Sequence, residues 1–224
     1  MPTELADGVW WYDLGGVNAY LVDDGGTLTL VDAGMPWHGR RIVGGLGDLG
    51  YALGDLERVL VTHYDLDHVG GLAGLDGLSA TIYVGAGDAP YVRGERAPPL
   101  ANRKGAFQRL SGLLLDAPEN TVEAVADGDT VGSFTVFETP GHTAGHVAYV
   151  SESLSLGVLG DLVRERDGEL AASPWFLSAD AAQIRESVRD LAARAPAFEV
   201  AAMGHGTPFK RRGSERLASL AATL

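Results

Sequence analysis

Short apolar runs bounded by turn residues alternate along this chain with segments whose apolar positions recur at helical spacing. The first kind predicts strands, at residues 9–12, 18–22, 27–31, 59–61, 81–84, 134–139, 147–150, 155–159 and 200–203. The second kind predicts helices, at 38–49 despite its glycines and at 178–194. Because strands and helices alternate, the predicted class is α/β or mixed α+β.

The segment 89–118 interrupts this pattern. It holds prolines and glycines, together with a local excess of basic residues from Arg93 to Arg109. We predict a partly helical insertion within one domain that spans residues 1–224, since this is an ordinary length for a single domain. The basic residues are interpreted as a solvated helix face, with a lid that draws in an anionic substrate as the alternative.

Composition narrows the range of partners. A formal net charge of -13 repels phosphate backbones and anionic lipids, so we expect neither a nucleic acid nor a membrane as a partner. No apolar run approaches the roughly 20 residues that span a bilayer. The first residues also lack an export signal, which predicts a cytoplasmic protein. The absence of cysteine leaves only nitrogen and oxygen ligands for a metal.

Lys104 and Lys210 are the only lysines of this acidic chain. An acidic, lysine-poor surface suits a high-salt cytoplasm, so a halophilic origin is a hypothesis, with a GC-rich genome as the alternative. A protein whose stability is unchanged between molar and low salt would contradict the halophilic version.

Histidines are concentrated in three glycine-flanked segments. Five of the six lie within residues 62–71, 139–146 and 204–206. The first segment follows a buried strand and places four potential ligands within six residues: His63, Asp65, Asp67 and His68. Two carboxylates this close repel each other, whereas a divalent ion supplies the compensating charge. The pattern predicts a metal site, with a solvated loop as the alternative.

These residues resemble the motifs of the metallo-β-lactamase fold superfamily, whose members share a His-x-His-x-Asp-His loop and four single-residue motifs in fixed order. The corresponding positions are Asp32 in VDAG, the loop 63–68, His142 in TPGH, Asp161 in GD and His205 in GHG. The match spans nearly the whole chain. It implies a four-layer αββα sandwich of two mixed sheets flanked by helices, with the ligands on loops at one edge.

The resemblance also implies ligands for two divalent ions. The first ion would be bound by His63, His142 and the residue at 65, and the second by Asp67, His68 and His205. Asp161 would bridge the two ions, and Asp32 would orient the loop from outside the ligand set. This chain has aspartate at 65, where the commonest pattern has a second histidine. Zinc is the expected metal, and the harder oxygen ligand makes manganese or iron the alternative at the site with Asp65.

Asp67 is the candidate catalytic residue. In the implied mechanism a hydroxide held between the two ions attacks a carbonyl, and Asp67 orients the water. His146 is interpreted as a hydrogen-bonding residue outside the ligand set, with ligation as the alternative. The candidates for substrate binding are Arg164, Arg166 and Trp175, for which surface charge and core packing are the alternatives.

Hydrolysis of a small ester, thioester or lactone is the leading hypothesis, because the chain resembles the compact branch that includes glyoxalase-II-like thioesterases and lactonases. Phosphodiester cleavage is an alternative that the acidic charge disfavours. Iron-dependent oxidation of sulfur compounds on the same fold is another. A lactamase is disfavoured because the chain has no export signal, and a non-catalytic scaffold would be expected to lose ligands. The expected substrate is a small molecule, and the oligomeric state stays open, a homodimer included.

Overall fold

The computed structural model describes residues 1–100 and 103–224. The strands of the first sheet are β1 (Thr3–Ala6), β2 (Val9–Asp13), β3 (Asn18–Asp24), β4 (Thr27–Val31), β5 (Leu56–Val61), β6 (Thr81–Gly85) and β7 (Val122–Val125). They lie side by side in chain order. The first four are antiparallel neighbours, whereas β4 to β7 run parallel. The sheet is therefore mixed.

The second half of the chain forms a smaller mixed sheet and a separate hairpin. Its strands are β8 (Thr130–Val131), β9 (Phe134–Glu138), β10 (Val147–Ser151), β11 (Leu156–Gly160), β12 (Val163–Arg166), β13 (Glu169–Ala172) and β14 (Val200–Met203). The sheet order is β14-β11-β10-β9-β8, and the β11–β14 pair is parallel. Strands β12 and β13 pair only with each other among the described strands.

The described residues also form six α-helices: α1 (Gly39–Asp48), α2 (Leu66–Val69), α3 (Ala89–Val92), α4 (Arg103–Ser111), α5 (Ala181–Arg194) and α6 (Gly213–Ala221). Helix α5 begins later than the predicted residue 178. Asp180 precedes its first turn and accepts hydrogen bonds from the backbone N–H groups of Ala182 and Gln183. This is an N-cap, and it sets the start of the helix.

Successive residues of the central strands face opposite sides of the first sheet. Leu30 packs with Ile42 and Leu46 of α1 in a core on the outer face. Val31, the next residue along β4, packs in a second core against Tyr149 of the other sheet. Both faces of β4 are therefore covered, and every residue of this strand except Thr27 is buried.

A third core lies on the other side of the second sheet. Val150 and Leu159 of this sheet pack with Ile184 and Val188 of α5 and with Leu217 of α6. Three cores separate four layers, in the order helix, sheet, sheet, helices. The αββα sandwich that the resemblance implied is therefore confirmed.

One edge of the two sheets gathers the loops that carry polar residues. Because β4 and β5 run parallel, Asp32 and Thr62, which follow them, lie on the same edge. In the second sheet Asp161 follows β11 and Gly204 follows its parallel neighbour β14. The backbone N–H of Val147 donates to the Thr62 carbonyl (2.9 Å) and joins the two sheets here.

The segment 89–118, which was predicted to be a partly helical insertion, contains α3 and α4. No helix among residues 1–100 and 103–224 combines the length and the apolar composition needed to cross a membrane.

Candidate metal centre

The loop after β5, together with α2, carries four of the predicted ligands. Asp65 adopts an extended backbone just before α2. The backbone N–H groups of His68 and Val69 donate to the Asp65 carbonyl and close a tight turn. This turn brings the imidazole rings of His63 and His68 to 4.1 Å between centroids.

Asp32 holds this loop from the neighbouring strand. Its Oδ1 accepts from the Thr62 backbone N–H (2.9 Å), and its Oδ2 accepts from Thr62 Oγ1 (2.8 Å) and His68 Nδ1 (2.8 Å). Since Thr62 Oγ1 gives its proton to Asp32, it accepts from His63 Nδ1 at 3.0 Å. These bonds leave Nε2 of each of the two histidines as the nitrogen available to a metal.

Residues 139–146, between β9 and β10, carry two further histidines. Both ring nitrogens of His146 are used, because Nδ1 donates to Thr139 Oγ1 (2.8 Å) and Nε2 accepts from the Asp161 backbone N–H (3.0 Å). His146 therefore holds the backbone beside Asp161 and has no nitrogen left for a metal. His142 places Nδ1 3.3 Å from Ser178 Oγ and Nε2 3.5 Å from Asp161 Oδ2.

Asp161 lies between histidines of both sheets. Its Oδ2 is 3.2 Å from His205 Nε2, and its Oδ1 is 3.5 Å from His68 Nε2. His205 Nδ1 donates to the Gly16 carbonyl, which leaves its Nε2 facing Asp161 and Asp67 (3.4 Å). Asp161 thus occupies a position from which its two oxygens reach both sides of the cluster.

The ligand atoms form two adjacent groups, each within 4.8 Å. The first group is His63, His142 and Asp161, and the second group is Asp67, His68 and His205. Within the described part of the chain, buried His68 Nε2 and Asp161 Oδ1 have no hydrogen-bond partner. Buried polar atoms without partners are costly, and a cation would satisfy both. Imidazole nitrogens with carboxylate oxygens are a donor set that suits zinc and other divalent transition metals.

Charges within the cluster shift the pKa values of its histidines. Burial lowers the pKa of His68, but the charge of Asp161 and other carboxylates outweighs it and raises the pKa to about 9. For His205, hydrogen bonds to Asp161 and a second carboxylate outweigh burial and raise the pKa to about 11. Burial and the neighbouring His68 lower the pKa of His63 to about 4. An ion that binds the second group must therefore displace protons.

Lys104 of α4 reaches into the first group, although the basic insertion was interpreted as a solvated helix face. Its Nζ donates to Asp65 Oδ2 and lies 2.8 Å from His142 Nε2, and its side chain is 6% exposed. Asp65, a predicted metal ligand, lies 3.1 Å from His142 Nε2 and 3.3 Å from His63 Nε2. Asp65 belongs to neither group of three. Burial raises the pKa of Asp65, but the adjacent His142 and His63 and the charge of Lys104 outweigh burial and hold the pKa well below its usual value.

A cavity of about 200 Å³ opens onto the cluster. Asp67 and His205 line it with side chains 30% and 32% exposed, so these two candidate ligands face the opening. The apolar residues of its wall are Met35, Leu66, Phe107 and Leu177. The site therefore combines a polar floor with apolar walls.

The structure does not bring the two candidate arginines to this cavity. Arg164 and Arg166 lie on the hairpin β12–β13, and neither lines the cavity wall. Arg166 is exposed next to the hairpin turn and pairs with Asp167 (3.5 Å). Trp175 is 67% exposed, two residues before Leu177 of the wall, and the Arg103 guanidinium lies 6.0 Å from its ring centroid.

Sequence reasoning missed Asp88. This buried carboxylate accepts hydrogen bonds from the Tyr64 backbone N–H (2.8 Å), Thr143 Oγ1 (2.7 Å) and the Gly145 backbone N–H (3.0 Å). It thereby ties the loop of His63 to the loop 139–146, and burial raises its pKa to about 6. The available signal was its position after β6, on the same sheet edge as Asp32.

The fold and this cluster of candidate ligands together indicate the class of protein to which the chain belongs. The sequence profile of the metallo-beta-lactamase superfamily matches residues 12–205, which include every predicted ligand. The chain belongs to that superfamily, a family of metallo-hydrolases.

Two curated relatives match most of the chain, and a third matches 59% of it. The chain is 28% identical to the "Uncharacterized protein YobT" of Bacillus subtilis, over 90% of this chain and 87% of that protein. It is 27% identical to the "Probable metallo-hydrolase YflN" of the same organism, over 92% of this chain and 86% of that protein. The hydroxyacylglutathione hydrolase of Cupriavidus taiwanensis is 32% identical over 59% of this chain, and the match covers 42% of that enzyme.

Two crystal structures share the architecture. The metallo-beta-lactamase family protein of Thermus thermophilus gives a TM-score of 0.72 at 24% identity, over 98% of this chain and 80% of that one. The subclass B3 metallo-beta-lactamase of Bradyrhizobium japonicum gives a TM-score of 0.68 at 21% identity, over 100% of this chain and 90% of that one. At this level of identity the likeness shows the fold.

Proposed function

We propose that this chain is a metal-dependent hydrolase that cleaves a small ester, thioester or lactone with an apolar acyl group. The observation that carries the proposal is the cavity, in which Asp67 and His205 form the floor beneath apolar walls. An acyl chain can pack on such walls while its carbonyl lies over the polar floor. A phosphodiester would bring further negative charge to a chain whose net charge is already -13.

Asp67 is the catalytic residue of this proposal. Burial raises its pKa, but His68 and His205 outweigh burial and lower it, so the carboxylate is ionised at neutral pH. An ionised carboxylate accepts a hydrogen bond from water and orients that water toward an acyl carbon in the cavity. When bound, a divalent ion supplies Lewis-acid polarisation and makes water more acidic. Zinc is the proposed metal, with manganese or iron as the alternative.

Apolar residues continue outside the cavity. Trp175, Phe176 and Phe107 are more than half exposed, and Phe107 also lines the cavity wall. Exposed apolar patches of this kind mark surfaces that bind apolar ligands or partners. The similarity to hydroxyacylglutathione hydrolases also supports an acyl substrate.

The substrate class is tested with the purified protein after elemental analysis of its metal. Para-nitrophenyl acetate, butyrate and octanoate, an acyl thioester and a lactone are compared with bis-para-nitrophenyl phosphate. We expect acyl substrates to be cleaved, with kcat/KM rising with chain length among the esters. Cleavage of the phosphodiester alone, or of no substrate, would contradict the proposal.

Variants separate chemistry from acyl binding. Asp67→Asn is expected to lower kcat/KM about 100-fold on every acyl substrate, since it removes both a ligand and the group that orients water. Leu177→Asp is expected to raise KM about tenfold for the octanoate and little for the acetate, because one apolar wall residue is lost. Leu114→Asp is the matched control, since Leu114 is 68% exposed and does not line the cavity.

A further inference from the structure

Lys104 and a metal ion compete for the same atoms of the first group. Lys104 Nζ lies 2.8 Å from His142 Nε2 and also donates to Asp65 Oδ2. His142 Nδ1 lies 3.3 Å from Ser178 Oγ, to which it donates, so Nε2 carries the only lone pair of the ring. The ammonium takes that lone pair. Lysine and a metal ion therefore cannot both use His142 Nε2.

We propose that Lys104 takes the place of the first metal ion, so that this chain binds a single divalent ion tightly. That ion belongs to the second group, with Asp161 beside it. The first group then holds a tethered ammonium instead of a second ion.

Charge and burial explain why the lysine and the aspartate at 65 occur together. Lys104 is 7% exposed and Asp65 is 4% exposed. A buried ammonium is costly unless it is paired with an opposite charge. Asp65 supplies that charge, which a neutral histidine at this position would not. The two residues form a buried pair, and this pair accounts for an aspartate that does not join either ligand group.

The helix that carries Lys104 is held in place by contacts other than the lysine. Gln108, one turn later on α4, donates to the Tyr64 carbonyl of the histidine loop. Arg103 places its guanidinium 6.0 Å from the centroid of the Trp175 ring. These contacts on either side of Lys104 keep its side chain directed into the cluster.

The second group differs from the first in the partners of its candidate ligand atoms. Among the described residues, the ion pairs of Asp67 are formed with His68 and His205 alone. His68 Nε2 also has no hydrogen-bond partner there. No ammonium competes at this group, so it stays open to a divalent ion.

The number of bound ions tests this inference, and the test does not depend on which bond the protein cleaves. Metal-free protein is titrated with Zn²⁺ and followed by native mass spectrometry and calorimetry. We expect one tight ion in the wild type and a second at least about 100-fold weaker, since that ion must break a buried ion pair. Lys104→Met is expected to bind two ions with affinities much closer together.

Lys210→Met is the matched control, because it removes the other lysine of the chain. Lys210 is outside the cluster and donates to the Glu4 carbonyl (2.7 Å). The Lys210→Met variant should bind zinc as the wild type does. Two equally tight ions in the wild type would overturn the proposal, and so would a folded Lys104→Met variant that still binds only one.

A second measurement needs no variant. The protein, loaded with zinc in excess, is treated with formaldehyde and cyanoborohydride, and methylation of the two lysines is followed by peptide mass spectrometry. We expect Lys210 to react more than about tenfold faster than Lys104, because buried groups react only after local opening. Equal rates in excess zinc would show that the ion displaces Lys104, and would overturn the proposal.

Discussion

Replacing Gly204 by alanine changes the metal centre without touching a ligand. Gly204 precedes His205, and a Cβ on it would lie 2.1 Å from Asp161 Oδ1 and 2.6 Å from His68 Cε1. The backbone is tied on both sides, since its N–H donates to the Gly160 carbonyl (3.0 Å) and its carbonyl accepts from the Asn18 N–H (2.8 Å). The added methyl group must therefore displace the ligands.

The size of the displacement follows from the distances. Ordinary contact begins at 3.4 Å, so the Asp161 carboxylate must move by 3.4 minus 2.1, or about 1.3 Å, if the backbone stays in place. A carboxylate displaced that far loses its place in the ligand set. We expect metal affinity to fall about 100-fold, the upper end of the loss seen when groups that orient ligands are removed. That factor corresponds to about 2.8 kcal/mol.

The assay is competition for Zn²⁺ with a chromophoric chelator, with circular dichroism to confirm that the variant is folded. The matched control is Gly44→Ala in α1, where a Cβ meets no atom within 4 Å. Alanine there should stabilise the helix by about 0.5–1 kcal/mol and leave metal affinity unchanged. If Gly204→Ala binds zinc as tightly as the wild type, the proposed geometry of the second group is wrong.

Four further predictions concern the candidate ligands and the groups around them. Asp32→Asn keeps a residue type that tolerates the positive φ of 53° at this position. The amide binds Thr62 and His68 more weakly than the carboxylate does, so zinc affinity should fall about 10-fold to 100-fold in the same chelator assay. An unchanged affinity would contradict this prediction. Because the pKa of His68 is raised to about 9 and that of His205 to about 11, zinc binding at pH 7 should release protons, and affinity should rise with pH from 7 to 9. Calorimetry in buffers of different ionisation enthalpy measures this release, and identical heats in all buffers would refute it. In the metal-free chain the raised pKa of His68 adds stability that is complete below about pH 6.5 and lost as pH rises through about 9, so the urea midpoint should fall over that range. Asp88→Asn replaces a carboxylate that accepts three hydrogen bonds by an amide that carries two donor hydrogens. The free energy of unfolding, measured by thermal denaturation, should fall by about 1–3 kcal/mol. A variant as stable as the wild type would show that the tie between the loops contributes little.

Apolar patterning was enough to predict several buried strands. The observed bounds of β4 and β14 are those predicted, and every residue of these two strands except Thr27 is buried. The hairpin β12–β13 was missed since its strands carry charged, partly exposed residues. The strand β8 is two residues long and leaves no periodic signal.

The candidate ligands stand out in the sequence because they lie in short motifs with fixed spacing. Asp88 and Lys104 could not, since their roles depend on contacts with residues far away in sequence. Lys104 meets Asp65, 39 positions earlier, and His142, 38 positions later. Nothing in the local pattern distinguishes this lysine from the solvent-facing basic residues around it.

Each ligand group draws on both sheets. His63 comes from a loop of the first sheet, whereas His142 and Asp161 come from the second. The second group likewise combines two residues of α2 with His205, which follows β14. A bound ion is therefore a cross-link between the two halves of the polypeptide, and neither half alone contains a complete ligand set. Chelation should consequently lower the melting temperature of the whole sandwich, by an amount set by the ion's affinity and concentration.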